Sequence, residues 1–103
     1  MVITIHAEER IRERCGIKKK AVARYAKNAY EKGLTFDEAE SRLKAYIREI
    51  EAHNDRVNSS TRLFGDNVFI FADNVLVTVF GIPHQHKPAL HQAIRTKREA
   101  VVA

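Results

Sequence analysis

The chain has 103 residues and a mass of 11.8 kDa, which suffices for one domain and is too little for two ordinary ones. Hydrophobic residues make up 45% and charged residues 30%, a composition that excludes disordered, collagen-like and low-complexity chains. The single cysteine, Cys15, excludes an intramolecular disulfide and a paired-cysteine metal site. With no signal-like or bilayer-spanning apolar run, we expect a cytoplasmic protein without membrane association.

The net charge of +5 is concentrated at the two ends of the chain. Residues 1–33 hold nine Lys or Arg and four Asp or Glu, and residues 81–103 hold four and one, whereas the middle is slightly acidic. Lys and Arg bind phosphates by displacing condensed counterions, so this distribution predicts attraction to a polyanion such as nucleic acid. An ordinary basic surface without such a partner is the alternative.

The spacing of apolar residues predicts two helices in the first third of the chain. The first ends at Gly16, and its apolar residues recur at every fourth position. These residues are Ala7, Ile11 and Cys15. The second runs from about Lys18 to Lys32, with Gly33 as its C-terminal cap. Its polar face bears three cations at positions i, i+4 and i+7. They are Lys20, Arg24 and Lys27.

A third helix and then a β-meander are predicted after Gly33. Thr35 to Glu38 matches a capping box, after which the helical period continues to about His53. Beyond a polar connector, three β-rich runs are separated by Gly, Asp and Asn, the residues that tight hairpins favour. These runs are Thr61–Phe64, Val68–Ala72 and Val75–Phe80.

Helices that precede strands indicate an α+β fold, in which N-terminal helices pack on a C-terminal antiparallel β-meander of three or four strands. We expect the helices to cover one face of the sheet. Residues 2–5 alternate between apolar and polar side chains and provide the candidate fourth strand, at an edge. Residues 1–103 then form a single domain, in which segment 84–103 is either a loosely packed basic tail or a short helix.

One face of the first helix combines a titratable group with two fixed cations. His6, Arg10 and Arg14 are spaced by four residues and therefore project along one face. Metal-independent RNA cleavage needs a base, an acid and cations for the charge that develops on phosphate oxygens. The three residues are therefore candidates for that chemistry. A solvated surface with ion pairs is the alternative, because acidic residues lie on the same helix.

Three more candidate residues lie on or near the meander. Arg62 is the only Lys or Arg between residues 57 and 86, and it provides either a phosphate-binding cation or a charge that protects an edge strand. Thr78 is the polar residue of the last strand, and either lines a site or faces solvent. His84 follows that strand and is a candidate acid or base. His84, His86 and His91 form a group of histidines without the nearby Cys or acidic ligands of a zinc site, so we expect no metal and no cofactor.

Three segments resemble a known superfamily: His6 to Ile17, Gly65 to Phe71, and Leu76 to Phe80. The chain resembles the toxin-like ribonucleases, which group barnase, EndoU nucleases, colicin tRNases and RelE-type toxins, and within them a small domain of unknown function. The resemblance spans residues 4–84. It implies helices on an antiparallel sheet, metal-independent RNA cleavage, a phage or mobile-element origin, and a cognate antitoxin or other protein partner. By this resemblance the family's histidine, arginine and strand polar position match His6, Arg10 and Thr78.

Two main functions are open on these observations. In the first, the protein cleaves or binds RNA, with histidines as proton-transfer groups and arginines as phosphate and transition-state cations. The residues predicted for this site are His6, Arg10, Arg14, Arg62, Thr78 and His84. In the second, a non-catalytic regulator or inhibitor binds nucleic acid or an acidic protein through Lys20, Arg24 and Lys27. A host-takeover or virion-associated protein without a nucleic-acid role is a third reading.

Overall fold

The computed structural model describes residues 1–53 and 58–102. This part of the chain contains four α-helices and four strands. The helices are α1 (Ile5–Cys15), α2 (Val22–Lys32), α3 (Ser41–Ala52) and α4 (Lys87–Val102). The strands are β1 (Val2–Ile3), β2 (Ser59–Phe64), β3 (Asn67–Ala72) and β4 (Val75–Gly81). Three short 3-10 turns are Lys19–Ala21, Phe36–Glu38 and His84–His86.

The strands form one sheet in the order β1-β4-β3-β2. The meander β2-β3-β4 is antiparallel, as predicted, and the α+β fold class is confirmed. The candidate edge strand is present as β1, but it pairs parallel with β4, so the sheet is mixed. Two-residue turns join the meander strands. Gly65 and Asp66 both have positive φ in the first, and Asp73 has φ +54° in the second, which explains the residue types found there.

Helices cover both faces of the sheet, which corrects the expectation that they cover one. The central strand β3 directs Phe69 and Phe71 into a core with α1 and α2, and Val68 and Ile70 into a core with α3. Leu90 of α4 is buried in that second core. The uninterrupted apolar run of β3 is the pattern of a strand buried on both sides, whereas a strand with one solvated face alternates.

Local capping determines where the helices begin and end. Thr4 caps α1, because its hydroxyl accepts the Ala7 N–H at 3.1 Å, and Gly16 ends the helix with φ +66°. The second helix begins with the 3-10 turn Lys19–Ala21 and becomes α-helical at Val22. Gly33 ends it with φ −64°, so this glycine is required by space and not by a left-handed backbone.

The third helix starts later than the capping box predicts. Glu38 does bind back to Thr35, accepting its N–H at 3.0 Å, but the turn Phe36–Glu38 ends at an extended Ala39. The α-helix then starts at Ser41, where the Glu40 carboxylate accepts the Leu43 N–H at 3.0 Å. The capping box therefore caps only the short turn, and α3 has its own cap in Glu40.

The last helix, α4, packs on the same face as α3. Besides the buried Leu90, it is held by Lys97, whose Nζ donates to the carbonyls of Lys32 and Gly33 at 3.4 and 3.2 Å. Residues 84–102 therefore consist of a 3-10 turn and a 16-residue helix. No helix within residues 1–53 and 58–102 is both long enough and apolar enough to cross a bilayer.

Candidate functional site

The first helix and the last strand bring two of the predicted site residues into contact. His6 Nε2 lies 3.0 Å from Thr78 Oγ1, a distance at which the two groups share a hydrogen bond. Both side chains are accessible to solvent at this contact. A hydroxyl is able both to donate and to accept, so Thr78 fits either tautomer of the imidazole.

The contact lies in an open cleft, here called the His6 cleft, with a volume of about 620 Å³. Residues from α1, β4 and the end of α3 surround it, and Ile70 of β3 lines it as well. Its polar lining residues are Thr4, His6, His53 and Thr78. Its apolar lining residues are Ile50, Ile70, Val77 and Phe80. The cleft therefore combines two imidazoles and two hydroxyls with apolar walls.

An irregularity in β4 places Thr78 in this cleft. Ile70 pairs with Thr78 and the next residue of β3 pairs with Leu76, so Val77 is an extra residue without a partner on β3. Such a bulge changes the direction of neighbouring side chains and is common beside functional sites. The Thr4 hydroxyl donates to the carbonyl of Val77 at 3.0 Å, so the cap of α1 also holds the bulge.

The two arginines of the α1 face follow His6 along the helix, and neither lines the cleft. Arg10 is partly exposed and lies 3.7 Å from Glu13, with which it forms a surface ion pair. Arg14 reaches Gly81 at the end of β4. Its Nη1 is so close to this glycine that a Cβ added at Gly81 would lie 3.3 Å from it. Neither arginine is among the lining residues of the His6 cleft. The stripe that the spacing predicts is thus present, with only its histidine in the cleft.

Arg62 lies on a different side of the molecule from His6. Its strand, β2, is at the opposite edge of the sheet from β1. Its guanidinium stacks over Tyr30 of α2, with Cζ 4.8 Å from the ring centroid, and Nε donates to the Tyr30 carbonyl at 3.2 Å. Tyr30 in turn contacts Phe71 of the α1/α2 core. The structure therefore does not bring Arg62 together with His6 and Thr78.

The C-terminal histidines are dispersed. His84 is exposed in the 3-10 turn beyond β4, His86 stacks on Tyr46 with centroids 4.3 Å apart, and His91 lies 2.7 Å from Asp66 Oδ1. Among the residues that the structure describes, no group of three or more His, Cys, Asp or Glu side chains could hold a metal ion. His84 is not a lining residue of the His6 cleft.

The sequence analysis missed His53 as a site residue. His53 is the C-cap of α3 and lines the same cleft as His6. Its only signal in the sequence is its position at the end of a predicted helix. The long-range packing of α3 on the face that bears Ile70 and Phe80 brings His53 to the cleft, and no spacing rule encodes that packing.

The three cations predicted for nucleic-acid binding are exposed, as their spacing predicts. They are Lys20, Arg24 and Lys27, here called the basic stripe. Lys20 lies in the 3-10 turn and the other two on α2. Lys27 is also 3.9 Å from Glu31 on the same helix. The stripe lies on the α2 side of the sheet, opposite the face that the His6 cleft uses.

A third polar cluster surrounds Cys15 at the end of α1. Burial raises the pKa of the Cys15 thiol, although hydrogen bonding with Tyr25 and the charge of Arg14 oppose the increase. Burial, followed by the interaction with Cys15, raises the pKa of Tyr25 to about 12. The Asn67 amide also lies 3.5 Å from Cys15 Sγ. This thiol is partly buried beside the α1/α2 core and is not part of the His6 cleft.

Comparison with protein-family models, with curated proteins and with solved structures finds no match for this chain. The resemblance to toxin-like ribonucleases therefore stays a prediction that rests on the segments quoted above.

Proposed function

We propose that the protein is a metal-independent RNA-cleaving protein of toxin-like type, with the His6 cleft as its active site. The observation that supports this most directly is the 3.0 Å contact between His6 Nε2 and Thr78 Oγ1 in a cleft that His53 also lines. Imidazole accepts and donates protons near neutral pH, so two histidines in one cleft are able to serve as base and acid.

The proposed reaction is an attack of a ribose on its own phosphate. One imidazole removes the proton of the 2′-hydroxyl, and the 2′ oxygen forms a bond to phosphorus. The bond from phosphorus to the 5′ oxygen breaks, and the second imidazole protonates that oxygen. The products are a 2′,3′-cyclic phosphate and a 5′-hydroxyl, and no metal takes part. His6 and His53 fill the two roles, and Thr78 orients His6.

The cations of α1 support the binding of RNA to this site. Arg10 and Arg14 continue the face that begins with His6, so a strand leaving the cleft along β4 would pass both guanidinium groups. Arginine binds phosphate through paired hydrogen bonds. In this proposal Arg62 and His84 have no role in the reaction, because neither lines the cleft. A cognate antitoxin and a mobile-element origin are part of the same proposal.

A second candidate function is a non-catalytic nucleic-acid-binding or regulatory module. The exposure of all three cations of the basic stripe favours it. Such a module binds with a steep dependence on salt and releases no product. It needs neither His6 nor His53, and this difference separates the two candidates.

The decisive experiment is RNA degradation in EDTA by the purified wild type and by His6→Ala, His53→Ala and His84→Ala. We expect the first two substitutions to lower the rate by about 100-fold or more, the range of a general acid or base. We expect His84→Ala, the matched control outside the cleft, to cleave like the wild type. The products should carry 2′,3′-cyclic phosphate ends.

Two results would contradict the proposal. Intact RNA at every wild-type concentration, with binding retained, would favour the non-catalytic module. Equal cleavage by the wild type and by His6→Ala would assign the activity to another site or to a contaminating nuclease.

A further inference from the structure

A second cavity, here called the Tyr30 cavity, lies beside α2 and has a volume of about 400 Å³. Lys27, Tyr30 and Glu31 line it from α2, and Ile3 of β1 and Asn74 of the β3-β4 turn line it from the sheet. It is on the α2 side of the sheet, whereas the His6 cleft is lined by Ile70 and Phe80 on the α3 side. The two cavities therefore do not belong to one site.

Tyr30 is an aromatic residue that remains exposed although its ring is held in place. It is 40% exposed, one of four large hydrophobic residues in the described chain with this degree of exposure. Its ring plane lies at 76° to that of the buried Phe71, with centroids 5.1 Å apart, and the Arg62 guanidinium stacks over one face of the Tyr30 ring. An aromatic ring fixed by two neighbours and open to solvent is the platform on which single-stranded nucleic-acid binders stack bases.

The groups around the ring match the other parts of a nucleotide. Asn74 offers a donor and an acceptor, and Glu31 offers acceptors, for the polar edge of a base. Lys27 lines the cavity and also belongs to the basic stripe, which spans about 10 Å along the helix axis from Lys20. The stripe is therefore placed to bind the phosphates of a strand whose base lies on Tyr30.

We infer that the Tyr30 cavity is a base-stacking site for single-stranded RNA, an inference that rests on the RNA-binding function proposed above. One base stacks on Tyr30 in the cavity, and the adjoining backbone follows the basic stripe. Arg62 serves by fixing the ring and not by neutralising a transition state. A duplex binds poorly, because its bases are already stacked on one another and do not reach the ring.

The test measures binding separately from cleavage. The probe is a fluorescent 2′-O-methyl RNA of about 12 nucleotides, used as a single strand and as a duplex, in EDTA. Without a 2′-hydroxyl it does not undergo the proposed reaction, so its anisotropy reports binding alone. The variants are Tyr30→Leu, Tyr30→Phe and Lys27→Ala. Arg95→Ala is the control, since it removes an exposed cation from α4 on the opposite face.

We expect Tyr30→Leu to weaken binding of the single strand about 10-fold, in line with the loss of one stacked base, and Tyr30→Phe to bind like the wild type. Lys27→Ala should lower the slope of log affinity against log salt by about 0.7, the loss of one phosphate contact. Arg95→Ala should affect the salt slope less than Lys27→Ala, and the wild type should prefer the single strand. Leucine keeps the apolar bulk on Phe71, and a urea unfolding curve checks that the variant folds.

Arg62→Ala tests the role of Arg62 on natural RNA. If Arg62 only holds Tyr30, this substitution raises KM several-fold and leaves kcat unchanged. A fall in kcat with unchanged KM would make Arg62 a transition-state cation and overturn this part of the inference.

The binding assay also separates failure of this inference from failure of the proposed function. Equal affinity of the wild type and Tyr30→Leu for the single strand would overturn the stacking site, even if His6-dependent cleavage is observed. Tyr30-dependent binding without any cleavage of natural RNA would uphold the stacking site and contradict the proposed catalysis. Absence of any oligonucleotide binding would overturn the inference and favour a protein partner for the basic stripe.

Discussion

His6 and Thr78 are 72 positions apart in the chain, and their side chains lie 3.0 Å apart. Backbone pairing at the sheet edge produces this relationship. The Thr4 N–H donates to the Leu76 carbonyl at 3.1 Å, which places the start of α1 beside the first residues of β4. The extra residue of the bulge, Val77, then directs Thr78 to the histidine.

Thr78→Val tests this hydrogen bond, because valine keeps the shape of threonine and lacks its hydroxyl. If Thr78 orients the imidazole, RNA cleavage in EDTA should fall about 10-fold, the effect of losing one hydrogen bond of about 1.4 kcal/mol. Thr78→Ser should retain most of the activity. Since the contact is exposed, unfolding free energy should change by less than about 0.5 kcal/mol. Unchanged cleavage by the valine variant would exclude an orienting role.

Lys97 and Glu38 form an ion pair that should make the unfolding free energy depend on pH. Burial alone raises the pKa of Glu38, but the Thr35 N–H and then Lys97 outweigh burial, so the pKa lies below its ordinary value of 4.5. A lowered folded-state pKa stabilises the fold above the ordinary value, and this contribution is lost as the pH falls through the folded-state pKa.

Lys97→Met should therefore lower the unfolding free energy at pH 7 by about 1 kcal/mol, since both side chains are partly exposed and screened. The difference from wild type should shrink once the pH falls below the folded-state pKa of Glu38, and the part due to the two carbonyl contacts should remain. Urea unfolding at pH 7 and at a pH below the folded-state pKa of Glu38 measures this difference between Lys97→Met and wild type. Arg95→Met, an exposed cation of the same helix, is the control. A difference that does not change with pH would contradict the role of Glu38.

Local signals in the sequence predicted much of the fold. Thr35 to Glu38, Gly16 and the hairpin residues Gly65 and Asp66 act on their own backbone, so their effect is visible within a few positions. The two-sided burial of the sheet was missed because it depends on α3 and α4 packing on β3 from far along the chain.

The candidate site was predicted only in part, for the same physical reason. His6 and Thr78 were both singled out from the sequence. Their contact, however, depends on the parallel pairing of β1 with β4 and on a bulge in β4, and the apolar run Val75–Phe80 contains no signal for that bulge. Arg62 was placed with them because it is a cation on the meander. The strand order, which puts it at the other sheet edge, follows from pairing partners and not from its own residue type.

Gly33→Ala should destabilise the protein for steric reasons. The backbone of Gly33 has an ordinary φ of −64°, but an added Cβ would lie 2.4 Å from the Ala29 carbonyl oxygen and 2.9 Å from Arg62 Cβ. We expect a loss of about 1–3 kcal/mol in unfolding free energy, the cost of overpacking. Gly16→Ala is the comparison, because it has free space and a φ of +66°, so its cost of about 1 kcal/mol comes from the backbone alone. Equal stability of Gly33→Ala and wild type would show that the end of α2 and the neighbouring part of β2 both adjust to the added Cβ without cost, and would contradict the steric argument.

Cys15 should react slowly with alkylating agents. The thiolate is the reactive form, and burial raises the pKa of the Cys15 thiol above its ordinary value of 9.0. The rate of iodoacetamide modification in the folded protein should therefore be well below that of the urea-unfolded protein at pH 8, and should keep rising above pH 9. Tyr25→Phe removes the hydrogen-bonding hydroxyl and should slow the reaction further. Equal rates in the folded and unfolded protein would contradict burial of the thiol.

A substitution of Leu90 tests how much α4 contributes to stability. Leu90 is the residue of α4 that is fully buried in the core on the α3 side of the sheet. Leu90→Ala removes buried apolar atoms and leaves a cavity, which costs about 2–5 kcal/mol of unfolding free energy. Ile5→Ala removes a similar side chain that is 77% exposed, and should change stability by less than about 0.5 kcal/mol. Urea unfolding of both variants measures the difference. If Leu90→Ala were as stable as Ile5→Ala, α4 would be detached from the sheet in solution. A large loss of unfolding free energy in Leu90→Ala means that α4 is an integral part of the domain. Removing three carbon atoms from α4 lowers the stability of the whole domain only if the helix is packed against the rest of it.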